Sequence, residues 1–255
     1  MIALNARPLL KVKHLSAAFK NGHAPLDVLD DISFQVSESE FISILGPSGS
    51  GKSTLLRILA GLLPFTKGEV QIDGNRMLGP RPGVGIVFQK ANLMPWRTVL
   101  QNITLPLELK RSPSAKAEKK AKELVELVGL QGFEQALPRD LSGGMAQRVA
   151  IARALVHEPD ILLLDEPFGA LDAITRERMG EELLHIWNIN QKTVVMVTHD
   201  ISEALYLADR VLVLSDRPAH IKLDLTVDLA RPRREDMRYT SAFGVLARQL
   251  RDAIS

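Results

Sequence analysis

Residues 46–54 read GPSGSGKST, and they narrow the possible folds more than any other stretch of this chain. The segment satisfies the spacing G-x-x-x-x-G-K-[ST] with Gly46, Gly51, Lys52 and Ser53. Pro47, Ser48, Gly49 and Ser50 fill the interval, and Thr54 follows. Glycines at these places let consecutive backbone N–H groups curl around a phosphate. The apolar run FISIL precedes the loop and TLLRILAGLL follows it, so the order is strand, loop, helix. The helix N-terminus adds positive potential, Lys52 reaches β- and γ-phosphates, and Ser53 holds Mg²⁺.

The rest of the chain agrees with that commitment. Short, nearly continuous apolar runs recur as FISILG (41–46), VGIVF (84–88), ILLLD (161–165), TVVMVT (193–198) and VLVLS (211–215). Runs of this kind suit parallel strands buried on both faces. Helical periodicity separates them: Ile201, Ala204, Leu205 and Ala208 share one face, as do Met179, Leu183, Leu184 and Trp187. The fold expected is α/β, with a mostly parallel sheet. Alternation near the front (LKVKHLSAAF, DISFQV) predicts a small antiparallel sheet, whereas residues 92–157 hold no convincing strand and read as an inserted helical block. Within that block Ser112 is the expected N-cap of a helix, with Pro113 at its first position and Gly129 as its stop. The expected division is 1–91, 92–157 and 158–255.

Composition excludes several function classes. Lys plus Arg number 32 against 30 for Asp plus Glu, a net charge of +2, and no clustered basic face marks a nucleic-acid binder. The densest basic run, RPRR at 231–234, reads as a solvated turn. There are no cysteines, which excludes disulfides, thiol nucleophiles and cysteine-held metals. No apolar run approaches the length of a membrane span, and MIALNARPLLKVKHL is not read as a signal peptide.

Further candidates sit at strand ends, the edge where parallel sheets bind ligands. Asp165 closes ILLLD and would hold Mg²⁺ directly or through water; Glu166 beside it is the expected general base for an attacking water. Gln89 follows VGIVF and could sense Mg²⁺ or the attacking water. His199, in VTHD, could hydrogen-bond the γ-phosphate and orient the water. The other histidines, His14, His23, His157, His185 and His220, read as surface or packing residues. A second cradle-like stretch, LSGGMAQR at 141–148, places Ser142, Gly143 and Gly144 at the start of a predicted helix.

In their order, GPSGSGKST, VFQ, LSGGMAQR, ILLLDEP, GALD and VTHD resemble the Walker A, Q-loop, signature, Walker B, D-loop and H-loop of an ABC transporter ATPase subunit. The resemblance runs from about Leu10 to Pro218 and implies a P-loop NTPase core that binds ATP and Mg²⁺. It further implies a homodimer in which Ser142, Gly143 and Gly144 bind ATP held by the partner's loop, with Asp172 acting across the interface. Phe19 stands where such proteins stack an aromatic on adenine, although a core residue on an edge strand fits equally. Two positions depart from the usual pattern: Met145, where Gln is commonest, and Ser39, where Gly is usual.

LMPWRTVLQNI, LSGGMAQRVAIARAL, PFGALDAITR and LADRVLVLSDRPAHI are together similar to importers of nitrate, alkanesulfonates and taurine. That likeness implies transmembrane permease subunits, an indirect link to a solute-binding protein, and a peripheral place on the cytoplasmic face of the inner membrane, with no nucleic-acid partner. Leu93, Met94 and Trp96 either face a permease helix or pack inside the helical block. An exporter or a non-transport ABC ATPase remains an alternative. A GTPase would carry N-K-x-D, which is absent, and an ATP-binding scaffold would not need Glu166 and His199.

Overall fold

The computed structural model describes residues 8–21, 24–169 and 171–254. Residues 1–7, within the stretch not read as a signal peptide, lie outside the described residues, as do His23 and Ala170 of GALD. In chain order the elements are β1 (Pro8–Asn21), β2 (Ala24–Ser37), β3 (Phe41–Leu45), α1 (Lys52–Leu59), β4 (Lys67–Ile72), β5 (Asn75–Arg76), β6 (Val84–Val87), α2 (Val99–Leu109), α3 (Ser114–Leu127), α4 (Gly143–Leu155), β7 (Ile161–Asp165), α5 (Ala173–Asn190), β8 (Thr193–Val197), α6 (Ile201–Leu207), β9 (Arg210–Leu214), β10 (Ile221–Thr226) and α7 (Ser241–Ile254). The chain divides into two compact units, Met1–Arg81 with Lys192–Ser255, and Pro82–Gln191.

The first unit carries an antiparallel sheet in the order β2-β1-β4-β5 and the strand series β10-β9-β3-β8. β3 runs parallel to both β8 and β9, while β10 is antiparallel to β9. Every residue of β3 and β8 is buried, which is why their sequences lack polar alternation. β1 and β2 pair along their length but shift register four times, between Pro8 and Leu10 and at three points from Val12 to Ala18. Those bulges break the two-residue alternation that would reveal so long a hairpin in sequence.

The second unit holds the parallel pair β6–β7 and the helices α2 to α5. Residues 92–157 contain α2, α3 and α4 and no strand. Capping explains the boundaries. Thr98 and Gln101 form a reciprocal box at the start of α2, with Thr98 Oγ1 accepting from Gln101 N at 3.2 Å and Gln101 Oε1 accepting from Thr98 N at 3.0 Å.

Two expectations fail here. Ser112 does not cap α3: its N–H closes α2 by donating to Leu107 O at 3.0 Å, and Pro113, extended at φ −55° and ψ 129°, takes the cap position. Nor is RPRR a solvated turn. Arg231 donates to Asp209 Oδ1 at 2.7 Å and to Leu207 O at 2.8 Å, and Arg233 is buried with Nη2 on Ala208 O at 3.1 Å. These guanidiniums serve the carbonyl end of α6, where cations are favoured. Burial, with the like charge of Arg231 beside it, pushes Arg233 down to about 10. Among the described residues no helix is long and apolar enough to cross a membrane.

Candidate functional site

The phosphate loop leaves the C-terminal end of β3 and runs into α1. Gly51 caps that helix at φ 105° and ψ 9°, a left-handed conformation that disfavours any side chain. A Cβ there would also meet Val28 Cγ1 at 2.8 Å. Lys52, 5% exposed, turns its Nζ onto Gly46 O at 2.9 Å and Pro47 O at 2.7 Å. Its ammonium thus lies on the loop itself, and no acidic side chain occupies the first turn of α1 to oppose an anion. Ser50 Oγ is buried and has no hydrogen-bond partner. An orphaned hydroxyl costs about 1–3 kcal/mol, so the loop is built around a group that satisfies it. These features fit a nucleotide phosphate.

Two further candidates belong to the same unit. His199 lies between β8 and α6, exposed, with Asp200 capping the helix by accepting from Glu203 N at 2.9 Å. Phe19 is half-buried on β1 opposite Leu26. Arg217 had no signal in the sequence. It rides on the turn 215–220, which His220 N and Ser215 Oγ close at 3.0 Å, and its Nη2 would lie 2.9 Å from a Cβ on Gly49. The turn thereby sets a further positive charge beside the loop.

In the second unit β7 delivers Asp165, 3% exposed, at its end. Glu166 follows at φ +44°, a left-handed conformation that costs a glutamate about 1–2 kcal/mol. The bend aims its carboxylate at Gln89, whose Nε2 donates to Glu166 Oε2 at 3.3 Å. Gly169 gives the pair room. Its N–H donates to Glu166 O at 3.0 Å, and a Cβ there would lie 3.2 Å from Glu166 Oε2 and 3.4 Å from Gln89 Nε2.

Ser142 is the N-cap of α4, accepting from Met145 N at 3.3 Å, and both Ser142 and Gly143 are exposed. Gly144 is buried where a Cβ would touch Thr175 Cγ2 at 3.3 Å, bringing the start of α4 close against α5. Arg148 ties the two helices through Glu182. Asp172 caps α5, accepting from Thr175 N at 3.0 Å and Thr175 Oγ1 at 2.6 Å. Those bonds hold its carboxyl below the usual range.

Sequence reasoning missed the side chains that hold the segment after Gln89. Residues 88–98 form no helix or strand. Fully buried Asn102 accepts from Met94 N at 2.8 Å and donates to the carbonyls of Met94, Arg97 and Thr98 at 3.2, 3.0 and 3.0 Å. Trp96, by contrast, is 73% exposed, while Leu93 and Met94 are half-buried.

The chain is similar to known proteins. A family model described as "ABC transporter" matches residues 29–169. The chain is 52% identical to an uncharacterised ABC transporter ATP-binding protein of Methanocaldococcus jannaschii, over 88% of this chain and 84% of that one. It is 46% identical to an aliphatic sulfonates import ATP-binding protein of Bacillus thuringiensis subsp. konkukian, over 88% of each chain. It is also 46% identical to a taurine import ATP-binding protein of Rhizobium johnstonii, over 88% and 86%. Among solved structures, the dimeric post-hydrolysis state of the ATP-binding cassette MJ0796 with ADP and phosphate bound superposes at a TM-score of 0.76. It is 36% identical and covers 87% of this chain and all of that one.

Proposed function

The chain belongs to the ABC transporter family and is an ABC-type ATPase, and from that premise we propose that it hydrolyses ATP to energise a membrane importer of a small oxoanion-like solute. The hydrolytic assignment is carried by the Gln89–Glu166 hydrogen bond at 3.3 Å, which holds a carboxylate and an amide together beside a strand end. Glu166 is the base that takes the proton of the attacking water, Gln89 aligns that water, and His199 binds the γ-phosphate. Gly46 to Thr54 cradle the triphosphate, with Lys52 released from the loop carbonyls to the phosphates, and Phe19 stacks on adenine. Ser53, Asp165 and Gln89 are the oxygen ligands suited to Mg²⁺, which when bound neutralises charge on the phosphates.

Ser142, Gly143 and Gly144 serve the ATP of a second copy, and Asp172 acts across the same interface. The exposed N-terminus of α4 supports this, as does the dimeric cassette among the similar structures. Residues 92–157 form the helical subdomain. Transport of a sulfonate or taurine rests on the names of relatives 46% identical across 88% of the chain, and nitrate only on the resemblance of the sequence motifs. Trp96, exposed on the segment after Gln89, suits a groove for a cytoplasmic helix of the permease. The protein then sits peripherally on the cytoplasmic face of the inner membrane, and a solute-binding protein outside supplies specificity.

Glu166→Gln tests the assignment. ATP binding is expected to persist while turnover falls about 10²-fold or more. Turnover near that of the parent would end it.

A further inference from the structure

Three side-chain nitrogens of α4 reach the backbone on both sides of Gln89. Gln147, 4% exposed, donates from Nε2 to Phe88 O at 3.2 Å. Arg153 donates from Nη2 to Ala91 O at 2.7 Å and from Nη1 to Asn92 O at 2.9 Å. The fork of one guanidinium thus spans two successive carbonyls, which a point-charge ammonium cannot match. Arg153 is kept there against a penalty, since burial pushes its guanidinium below the ordinary range. The carbonyls it serves belong to a segment without regular structure, so side chains have to satisfy them.

We propose that Gln147 and Arg153 are positioning residues that clamp the Gln89 segment to the helix beginning at Ser142, so that α4 sets the Gln89–Glu166 geometry. This rests on the roles assigned to Gln89 and Glu166 under the proposed function and adds the device that aligns them. The chain of contact is continuous: Ser142 starts α4, Gln147 and Arg153 hold residues 88, 91 and 92, and Gln89 holds Glu166. Asn102 extends the clamp to Met94, two residues before exposed Trp96.

The test is a double-mutant cycle in steady-state ATP hydrolysis by the full chain. Arg153→Met is expected to lower kcat about tenfold with KM for ATP within about twofold, because a sub-ångström misplacement acts on the chemical step. In a Gln89→Ala background the same substitution should lower kcat less than about twofold, since the amide it positions is gone. Arg153→Lys, limited to one bond at a time, should recover part of kcat. An equal loss in both backgrounds, or a rise in KM at unchanged kcat, overturns the proposal and makes Arg153 merely structural. If Arg153→Met does not fold, Gln147→Leu in the same cycle decides the question on the same criterion. Gln89→Ala alone at the parental rate overturns the role of Gln89 and this inference together, whereas a slow Gln89→Ala with an additive cycle overturns only this inference.

Discussion

Replacing Gly169 with alanine should slow hydrolysis about fivefold while leaving stability close to that of the parent. The substitution is conformationally permitted, because Gly169 is not among the positive-φ glycines. The added Cβ would lie 3.2 Å from Glu166 Oε2 and 3.4 Å from both Gln89 Nε2 and Glu166 O. Relieving these contacts takes a shift of a few tenths of an ångström, which the ends of two flexible side chains can make. The strain is therefore well under 1 kcal/mol, and loss of unfolded-state freedom returns about 0.5 kcal/mol. A misplacement of about 1 Å at a reacting centre costs about 10²-fold, so about 0.3–0.4 Å corresponds to roughly fivefold. Phosphate release at saturating ATP gives kcat, and thermal melting gives Tm, expected within about 3 °C of the parent. Parental kcat would show that the Gln89–Glu166 spacing does not matter. A Tm lower by more than about 10 °C would show that Gly169 serves folding instead.

Asp172→Asn keeps a capping oxygen but removes the charge that Thr175 favours. The folded carboxyl titrates below the ordinary aspartate value, so its contribution is present above that value and is lost as pH falls through the lower folded one. Urea unfolding should show the variant less stable at pH 7 and equal to the parent at the acid end; a gap independent of pH contradicts this. Trp96→Ala should spare ATP hydrolysis by the isolated chain and weaken its co-purification with the permease, because an indole 73% exposed contributes little to the fold. Unfolding of that variant would place Trp96 in the core after all.

Strands β3, β7, β8 and β9 were legible because their burial removes polar alternation; β6, only alternately buried, was legible from its apolar run alone, and each of the five lies within one residue of the run that announces it. The phosphate loop was legible because glycine spacing and a flanking strand and helix are local properties. What was hidden depends on partners distant in sequence. Arg233 is 25 residues from the Ala208 carbonyl it serves, so a basic run looked solvated when it caps a helix. Nothing local to α4 marks Gln147 and Arg153, since their acceptors lie 59 to 62 residues earlier. Ser39 and Glu166 adopt φ +59° and +44°, which nothing in their residue types announces. At Ser39 this explains why glycine is usual at that position in the family it resembles.

Whether the cradle at Ser142 serves another copy of the chain is tested most directly by a mixed dimer. One chain carries Lys52→Ala and a differently tagged chain carries Ser142→Arg, and the heterodimer is purified through both tags. If α4 acts across the interface, one composite site combines both defects, while the other pairs an intact phosphate loop with an intact cradle. That dimer should occlude one ATP in a single-turnover assay, a measurement that does not require both sites to cycle. If α4 acts on its own chain's nucleotide, each chain is defective alone, and a heterodimer that assembles yet occludes no ATP would contradict the account.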